Sequence, residues 1–559
     1  MAGGPRPLAE ARERFERALR EALPDDLKGE PFQVDVPPDP SHGDLATNAA
    51  LVLARRVRKP PRQLAEELVA ALPEDPLLAH VEVAGPGFIN LRLPRAWWDQ
   101  VVAAARHPLW GEGAPAQPER IVVEFVSANP TGPLNVVNAR AAVLGDVLCR
   151  LLTAQGHRVV REYYVNDAGT QYEKFKASVA ARYAHQYQGK DLVIPEGGYP
   201  GEYVADLVDR AVARLGGPEK VAAMDPEERE EAMGRLCVEM NIEAARETLE
   251  SFGVAFDYFA RESELRERGA ADQVFRILVE KGYTYEEDGA VWLRTTLFGD
   301  EKDRVIRRRD GEYTYILPDL AYHLDKFTRG DRLIDILGPD HHGYLARLRA
   351  GLAALGKDPE RIEILISQVV HLVKGGQRAR MSKRQGQLVT LEDFLKEVDR
   401  DAARFFFASR APESPMDFDI DLANLQTQEN PVYYVQYAHA RIQSLLQRAK
   451  ELGREPLSSE VLLAPRQETL YPHPSERLLL MHLGRFPDEV DQAATQRAPH
   501  RLTVYARELA SLFHTFYTDC RVLGETEEVE AARLALAEAA GHTLRKVLHL
   551  LGVTAPDRM

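Results

Sequence analysis

Two segments of this chain hold residue types that could handle a polyanion. The first, SANPTGPLNVVNAR at 127–140, follows the apolar run IVVEFVSA and opens a stretch with helical apolar spacing. A helix N-terminus presents unpaired N–H groups and the positive end of a dipole, which suits phosphate. Asn, Thr, Gly and Pro also suit an ordinary capped turn, and locally both readings stay open. The second segment, RARMSKRQGQLVTLEDFL at 378–395, gathers Arg378, Arg380, Lys383 and Arg384 around Gly386. Such a loop can follow a pyrophosphate and supply positive charge as it leaves; alone, it can equally be a solvated basic turn. A third group, Asp340-His341-His342-Gly343, follows the strand-like RLIDILG. Neighbouring residues rarely ligate one ion together, so this His pair does not define a metal site.

These segments need a scaffold, and the apolar periodicity supplies one. IVVEFVSA reads as a buried strand, NARAAVLGDVLCRLLTAQG as a helix and HRVVREYYV as a second strand, a βαβ unit of a parallel sheet. Residues 172–290 are mostly helical and polar and read as an insertion. Strands are expected again at AVWLRT (290–295), YTYIL (313–317), RLIDILG (332–338) and IEILI (362–366). Ligands of such a sheet bind at the carboxyl ends of its strands. Upstream, helices are expected over 8–23, 44–56 and 60–72, and two strands around the Gly-Pro-Gly turn of 79–93. The Pro- and Gly-rich stretch 107–118 reads as a linker, and the chain from about 422 onward as a helical bundle. The domains expected are therefore 1–106, a linker 107–118, 119–421 with its insertion at about 172–290, and 422–559.

Composition bounds the rest. The 559 residues suit three or four domains, and 45% hydrophobic with 28% charged residues is ordinary for a folded chain. A net charge of −15, from 71 basic and 86 acidic residues, argues against coating nucleic acid by bulk positive charge. Cys149, Cys237 and Cys520 are far apart and odd in number, which disfavours a disulfide framework or a cysteine-built zinc site. The charged N-terminus lacks the apolar core of a signal peptide, and no uncharged run approaches the ~20 residues of a membrane span. A cytoplasmic protein without membrane contact is expected.

Seven motifs in order carry a resemblance. VEFVSANPTGPL, REYYVNDAGTQ, YTYILPDLAYHLDKF, GPDHHGY, RMSKRQG, NPVYYVQYAHARI and LLGVTAPDRM resemble the arginyl-tRNA synthetases, a family of class I aminoacyl-tRNA synthetases. GDLATNAALVLA and AGPGFINLRL are similar to the N-terminal tRNA-binding domain of that family. The resemblance spans essentially the whole chain. It implies an α/β fold: a Rossmann-like parallel-sheet catalytic domain with an insertion, a small N-terminal α/β domain and a C-terminal all-α anticodon-binding bundle. The implied reaction joins L-arginine to ATP as arginyl-adenylate, releasing pyrophosphate, and transfers the arginyl group to the 3′-terminal adenosine of arginine tRNA. ATP is a substrate, Mg2+ travels with it, and no protein-bound metal is expected. A monomer fits the family.

By resemblance, Lys383 would stabilise charge on the ATP phosphates, with Arg380, Met381 and Ser382 completing the late signature. Arg380 stands where the family usually has Lys; it keeps the charge but changes the donor geometry. The first signature, His-x-Gly-His in the family, is Asn135-Val136-Val137-Asn138 here. Asn135 and Asn138 would still contact ATP as hydrogen-bond donors, but neither can carry positive charge. Three readings compete: an active variant, a tRNA-binding paralog with weak or absent aminoacylation, and a deliberately altered sequence. Asp340 and His341 would meet ribose or adenine, with Val370 and Gln377 as neighbours of ATP.

A guanidinium seeks a carboxylate in bidentate geometry. The resemblance gives Asp319 that task and puts Tyr315 in the pocket wall; an N-capping Asp is the alternative. Glu124 and Asn129 would meet the two ends of arginine, in an unassigned order. Tyr322, with His323 beside it, and Asn166, with Asp167, would support the pocket, although Asn-Asp also suits a structural turn. In the bundle, Tyr434, Tyr437 and Arg441 would contact tRNA, among Tyr433, Gln436 and His439. The alternative is a helix stripe packed on the catalytic domain. Asn48 and Phe88-Ile89-Asn90 would serve the tRNA elbow, with Phe88 equally suited to the core. A tRNA binder needs only a basic track, so the net charge of −15 limits non-specific RNA binding rather than excluding RNA.

Overall fold

The computed structural model describes residues 3–339, 343–378 and 389–559, the side chain of Pro40 apart. Arg120–Glu124 is the central strand of a five-stranded parallel sheet. The order is Ile362–Ile366, Arg332–Leu337, Arg120–Glu124, Arg158–Val165, Tyr258–Arg261. Ile121, Val122 and Val123 are all buried because helices cover both faces. Ile121 and Val123 belong to the same core as Val143 and Val147 of the helix Val136–Ala154. Val122 packs instead with Leu317 and Leu320 of the helix Ile316–Arg329. Chain order reverses between Arg120–Glu124 and Arg332–Leu337, which puts the binding crevice outside their carboxyl ends.

Several elements depart from expectation. YTYIL is not a strand. Tyr313 makes one isolated bridge to Arg307, and the helix already begins at Ile316, two residues before Pro318. Proline is tolerated in a first turn because the N–H it lacks has no intrahelical partner there. AVWL at 290–293 joins a separate antiparallel sheet with Thr284–Glu287 and Arg304–Arg307. The stretch 172–290, expected as an interruption, supplies the edge strand Tyr258–Arg261 to the parallel sheet. The helix expected over 44–56 starts at Ala49, because Leu45–Thr47 is a strand.

The N-terminal unit is a four-stranded antiparallel sheet flanked by helices, in the order Val34–Asp35, Leu45–Thr47, Phe88–Leu91, Val81–Ala84. Gly87 at the turn has φ +138, and a Cβ there would meet the Pro61 carbonyl carbon at 2.8 Å, so glycine is required. The stretch 107–118 is no free tether. Trp110 is fully buried, packs on Phe486 and donates to Thr543 Oγ1 at 3.2 Å. The C-terminal bundle runs from Pro431–Glu451 to Glu527–Leu551.

One buried cation joins three parts of the molecule. Arg404 donates to Asp146 of the catalytic helix at 2.5 Å, to the Phe252 carbonyl at 3.1 Å and to the Leu551 carbonyl at 3.2 Å. Its guanidinium is fully buried. Replacing Arg404 by Ala leaves Asp146 with Arg150, at 2.8 Å, and strips the donor from the Phe252, Gly253 and Leu551 carbonyls; a loss of about 2–4 kcal/mol in unfolding free energy is expected, read by urea denaturation. An unchanged midpoint would contradict this role.

Candidate active site

Three carboxylates lie side by side across the sheet. Glu124 is the register partner of Glu162 on one side and of Asp335 on the other. All three are buried, on the face covered by Ile316–Arg329. That helix supplies the counter-charges. Lys326 donates to Glu124 and, at 2.6 Å, to Asp335 Oδ1. Arg329 grips Glu162 through Nε at 2.7 Å and Nη2 at 3.0 Å. The Tyr322 hydroxyl sits 2.9 Å from Glu124 and 2.8 Å from Glu162. His323 reaches Asp335 at 2.9 Å. Burial opposes the charge on Lys326, but Asp335, Glu124 and Glu162 hold its ammonium protonated. Burial also opposes ionisation of Asp335, yet Lys326 and His323 hold its carboxyl well below the usual range.

Asp319 lies one turn before His323, toward the open end of the crevice. Burial pushes its carboxyl up, His323, Tyr344 and Arg347 pull it back, and Glu124 adds to the rise. Tyr315, one turn earlier again, is 79% exposed. Tyr164 packs against Tyr322 with ring centroids 4.4 Å apart and the rings tilted by 35°. Burial, Glu262 and Asp319 together raise its phenol. Glu262 was not singled out in the sequence; the signal for it is a carboxylate directly after the carboxyl end of the strand Tyr258–Arg261. With its amide turned so that the nitrogen faces Glu262, Asn166 donates to Glu262 Oε2 at 2.7 Å, and Asp167 accepts from the Ser263 N–H at 2.9 Å. Asn166 and Asp167 thus orient the short helix that carries Glu262. A cavity of about 300 Å³ lies here, lined by Tyr164, Glu262, Tyr313 and Pro318.

The loop after the central strand is strained and braced. Val126 has φ +69 and Ser127 φ +40, in the left-handed region that β-branched residues avoid. Ser127 Oγ donates to Glu124 at 2.8 Å and accepts from the Tyr164 N–H at 3.1 Å, fixing this turn. Side chains of the insertion hold the next part of the loop: Asn241 donates to the Pro130 carbonyl at 2.9 Å and Tyr203 to that of Thr131 at 2.6 Å. Asn129, just before these two anchors, is exposed.

Asn135 and Asn138 form a reciprocal capping box. Asn135 Oδ1 accepts from the N–H groups of Val137 at 3.0 Å and Asn138 at 3.3 Å, and Asn138 Oδ1 accepts from the Asn135 N–H at 3.0 Å. Both carbonyl oxygens are used, while neither NH2 group has a partner among the described residues. Val137 is 37% exposed beside them. The loop also meets the segment following the basic stretch: Leu391 N–H donates to the Leu134 carbonyl at 2.8 Å, and Val136 N–H to that of Val389 at 3.3 Å.

Arg380, Met381, Ser382, Lys383, Asp340, His341 and His342 lie outside the described residues. Val370 is buried and Gln377 exposed. Tyr434, Tyr437 and Arg441 are half-buried on the bundle's first helix. Among the described residues no group of three His, Cys, Asp or Glu could hold a metal ion, and no helix is long and apolar enough to cross a membrane.

An open parallel sheet with a capped helix N-terminus and buried carboxylates at its switch point is the architecture expected of the catalytic unit of a class I aminoacyl-tRNA synthetase, and the chain belongs to that class. Family models agree: "tRNA synthetases class I (R), catalytic domain" matches 106–414, "Arginyl tRNA synthetase N terminal domain" 9–93 and "DALR anticodon binding domain" 435–559. An arginine–tRNA ligase of Moorella thermoacetica is 48% identical over 548 residues, covering 97% of this chain and 96% of its own. That of Desulforudis audaxviator is 46% identical, covering 99% of both. A putative arginyl-tRNA synthetase structure from Campylobacter jejuni matches with TM-score 0.73 at 30% identity, over 84% of this chain and all of its own. The Thermus thermophilus arginyl-tRNA synthetase shares the fold, with TM-score 0.77 at 24% identity over 98% of this chain and all of its own. The chain belongs to the arginyl-tRNA synthetase family.

The capping box gives a direct test. Asn135→Ala is expected to lower stability by about 1 kcal/mol, and Asn135→Ser to retain most of it. Thermal unfolding of both variants checks this; equal losses would contradict a capping role.

Proposed function

We infer that this chain is an arginine–tRNA ligase. A carboxylate oxygen of L-arginine attacks the α-phosphorus of ATP, and pyrophosphate leaves. A hydroxyl of the 3′-terminal adenosine of tRNA then attacks the carbonyl of arginyl-adenylate, and AMP leaves. Identity of 48% to an arginine–tRNA ligase, over 97% of the chain, carries this reading. It also disfavours the tRNA-binding paralog.

The pocket chemistry fits a cationic amino acid. Asp319 and Glu262, facing Tyr164 from opposite elements, suit the guanidinium. Tyr315 would fold over it once bound. Glu124, whose oxygens Ser127, Tyr322 and Lys326 already engage, supports the pocket from beneath. Asn129, just past the strained turn, would meet the α-amino or carboxylate end. Asn135 and Asn138 would turn their NH2 groups and the helix N-terminus toward the ATP phosphates. Lys383 and Arg380, with Met381 and Ser382 between them, would carry the positive charge that the asparagines lack. Asp340 and His341 would hold the nucleoside. Magnesium would arrive on the phosphates, completed by water.

Two surfaces suit tRNA. On the bundle, Tyr433 and Tyr437 have nearly parallel rings, with centroids 6.3 Å apart and a 6° tilt. Arg441 covers Tyr517 at 4.4 Å, and Tyr434 lies 5.1 Å from His514. Such faces stack unpaired bases. Gln436 and His439 take the structural role instead, bonding Asp401 at 3.0 Å and the Pro556 carbonyl at 2.9 Å. On the N-terminal sheet, Phe88 is 42% exposed beside Asn48 and Asn90 in a cavity of about 530 Å³. An unpaired elbow base fits there. A monomer working in the cytoplasm accords with this reading.

Purified chain, arginine, ATP and arginine tRNA should yield arginyl-tRNA; none above background would overturn the reading. Activity appearing only after Asn135→His, Val137→Gly and Asn138→His would revive the paralog. Asp319→Asn should raise the arginine KM by at least about tenfold and leave the ATP KM nearly unchanged. Because burial raises the Asp319 carboxyl, the arginine KM should climb as pH falls and that group protonates. Asp319→Asn should abolish this pH limb.

A further inference from the structure

His323 stands between two acceptors. Its Nδ1 lies 2.7 Å from the Asp319 carbonyl oxygen and its Nε2 2.9 Å from Asp335 Oδ2. A carbonyl oxygen only accepts, so Nδ1 carries a proton. Asp335 is a buried carboxylate whose other oxygen accepts from Lys326 at 2.6 Å, so Nε2 must also donate. A neutral imidazole has one N–H and cannot do both. Charge balance leads to the same point. The row Glu162, Glu124 and Asp335 brings three negative charges into the interior, and Arg329 and Lys326 supply two positive ones; Asp325, which also touches Arg329 at 2.5 Å, has its own cation in Arg268 at 3.2 Å, so the row stays one cation short. An uncompensated buried charge is strongly destabilising.

We propose that His323 is a positioning residue of the arginine pocket, held as an imidazolium that completes the charge of the carboxylate row and keeps Asp319 ionised for the incoming guanidinium. This rests on the arginine pocket inferred above. His323 is only 3% exposed. From its own helix Asp319, Tyr322 and Lys326 surround it, with Arg329 one turn beyond Lys326. From the sheet come Asp335, Glu124 and, farther along the row, Glu162. From the helix Tyr344–Ala354, Tyr344 and Arg347 act on Asp319. The charge on His323 offsets the burial that drives the Asp319 carboxyl toward protonation. The substrate's cation then meets a carboxylate, not an acid.

The test uses the full chain with 15N-labelled histidine, first without substrates. The His323 signal is assigned by its loss in His323→Gln, or by its movement in Asp335→Asn should the first variant not fold. An imidazolium pattern, two protonated nitrogens, is expected at neutral pH; a neutral pattern in the native chain overturns the proposal. In Asp335→Asn the row needs one cation fewer, and the same signal should turn neutral. Kinetically, His323→Gln should raise the arginine KM about tenfold, most at acidic pH, with little change in kcat or in the ATP KM. Adding Asp335→Asn to His323→Gln restores equal numbers of charges and should recover most of that loss. A double variant as poor as the sum of the single losses would indicate packing alone and overturn the proposal. A chain that makes no arginyl-tRNA would overturn the proposed function instead, and the NMR result would still decide the charge on His323.

Discussion

Three acidic side chains in register across adjacent parallel strands are a constraint that little else in the fold can ignore. Glu162, Glu124 and Asp335 share a face because the pleat alternates side chains and parallel pairing aligns them. Buried together they repel, and only a complementary surface can cover them. The helix Ile316–Arg329 is that surface: Tyr322, His323, Lys326 and Arg329 fall at helical spacing on one face, and each reaches the row. A slide of one turn along the sheet would leave several of these charges unpaired. Such a network adds little net stability, because desolvation offsets the attraction, but breaking one pair within it is costly. That cost matters because the same helix carries Asp319 and Tyr315 at its open end. The pocket proposed for a cation is thus placed by the ion pairs beneath it.

The first loop keeps a capped helix N-terminus although its side chains differ from the His-x-Gly-His of the family. In Asn135-Val136-Val137-Asn138 the two amides close a capping box with their oxygens and leave their nitrogens for a ligand. The helix dipole survives the replacement of His by Asn. Positive charge does not, and the open space of a glycine is taken by Val137. On the proposed reading, neutralising phosphate falls to the basic residues of the segment 378–384. Backbone hydrogen bonds between Leu134–Val136 and Val389–Leu391 hold the chain just beyond that segment against the first loop. The strain at Val126 and Ser127 is offset by Ser127's bonds to Glu124 and Tyr164, which link this loop to the carboxylate row.

What the sequence revealed depended on whether the information was local. IVVE followed by a capped helix is a local pattern, and both elements are where the apolar spacing puts them. YTYIL misleads because aromatic and β-branched residues favour strands, while its real role is to enter a helix whose face is set by distant carboxylates. Tyr258–Arg261 is too short to stand out among helices, and it becomes a strand only by pairing with Glu162–Val165. The carboxylate row was invisible for the same reason: Glu124, Glu162 and Asp335 become neighbours only through register. Glu262 was missed with them. Trp110 lies in a Pro- and Gly-rich stretch that resembles a tether, and only the bundle's Phe486 and Thr543 make it a core residue.

The acidic balance of the chain takes on meaning once the cations are located. Arg404, Arg329, Lys326, Arg332 and Arg497 are committed to carboxylates within the protein and do not serve RNA. Arg55 and Arg58, on and just past the helix Ala49–Val57, have no ion-pair partner among the described residues, and this helix follows directly on Asn48 in the wall of the cavity that holds Phe88. Arg441 likewise keeps its charge over Tyr517 without a carboxylate among the described residues. On the proposed reading, such cations would act together with stacking on Phe88, Tyr433 and Tyr437. Affinity built this way discriminates by which bases are unpaired and where they project.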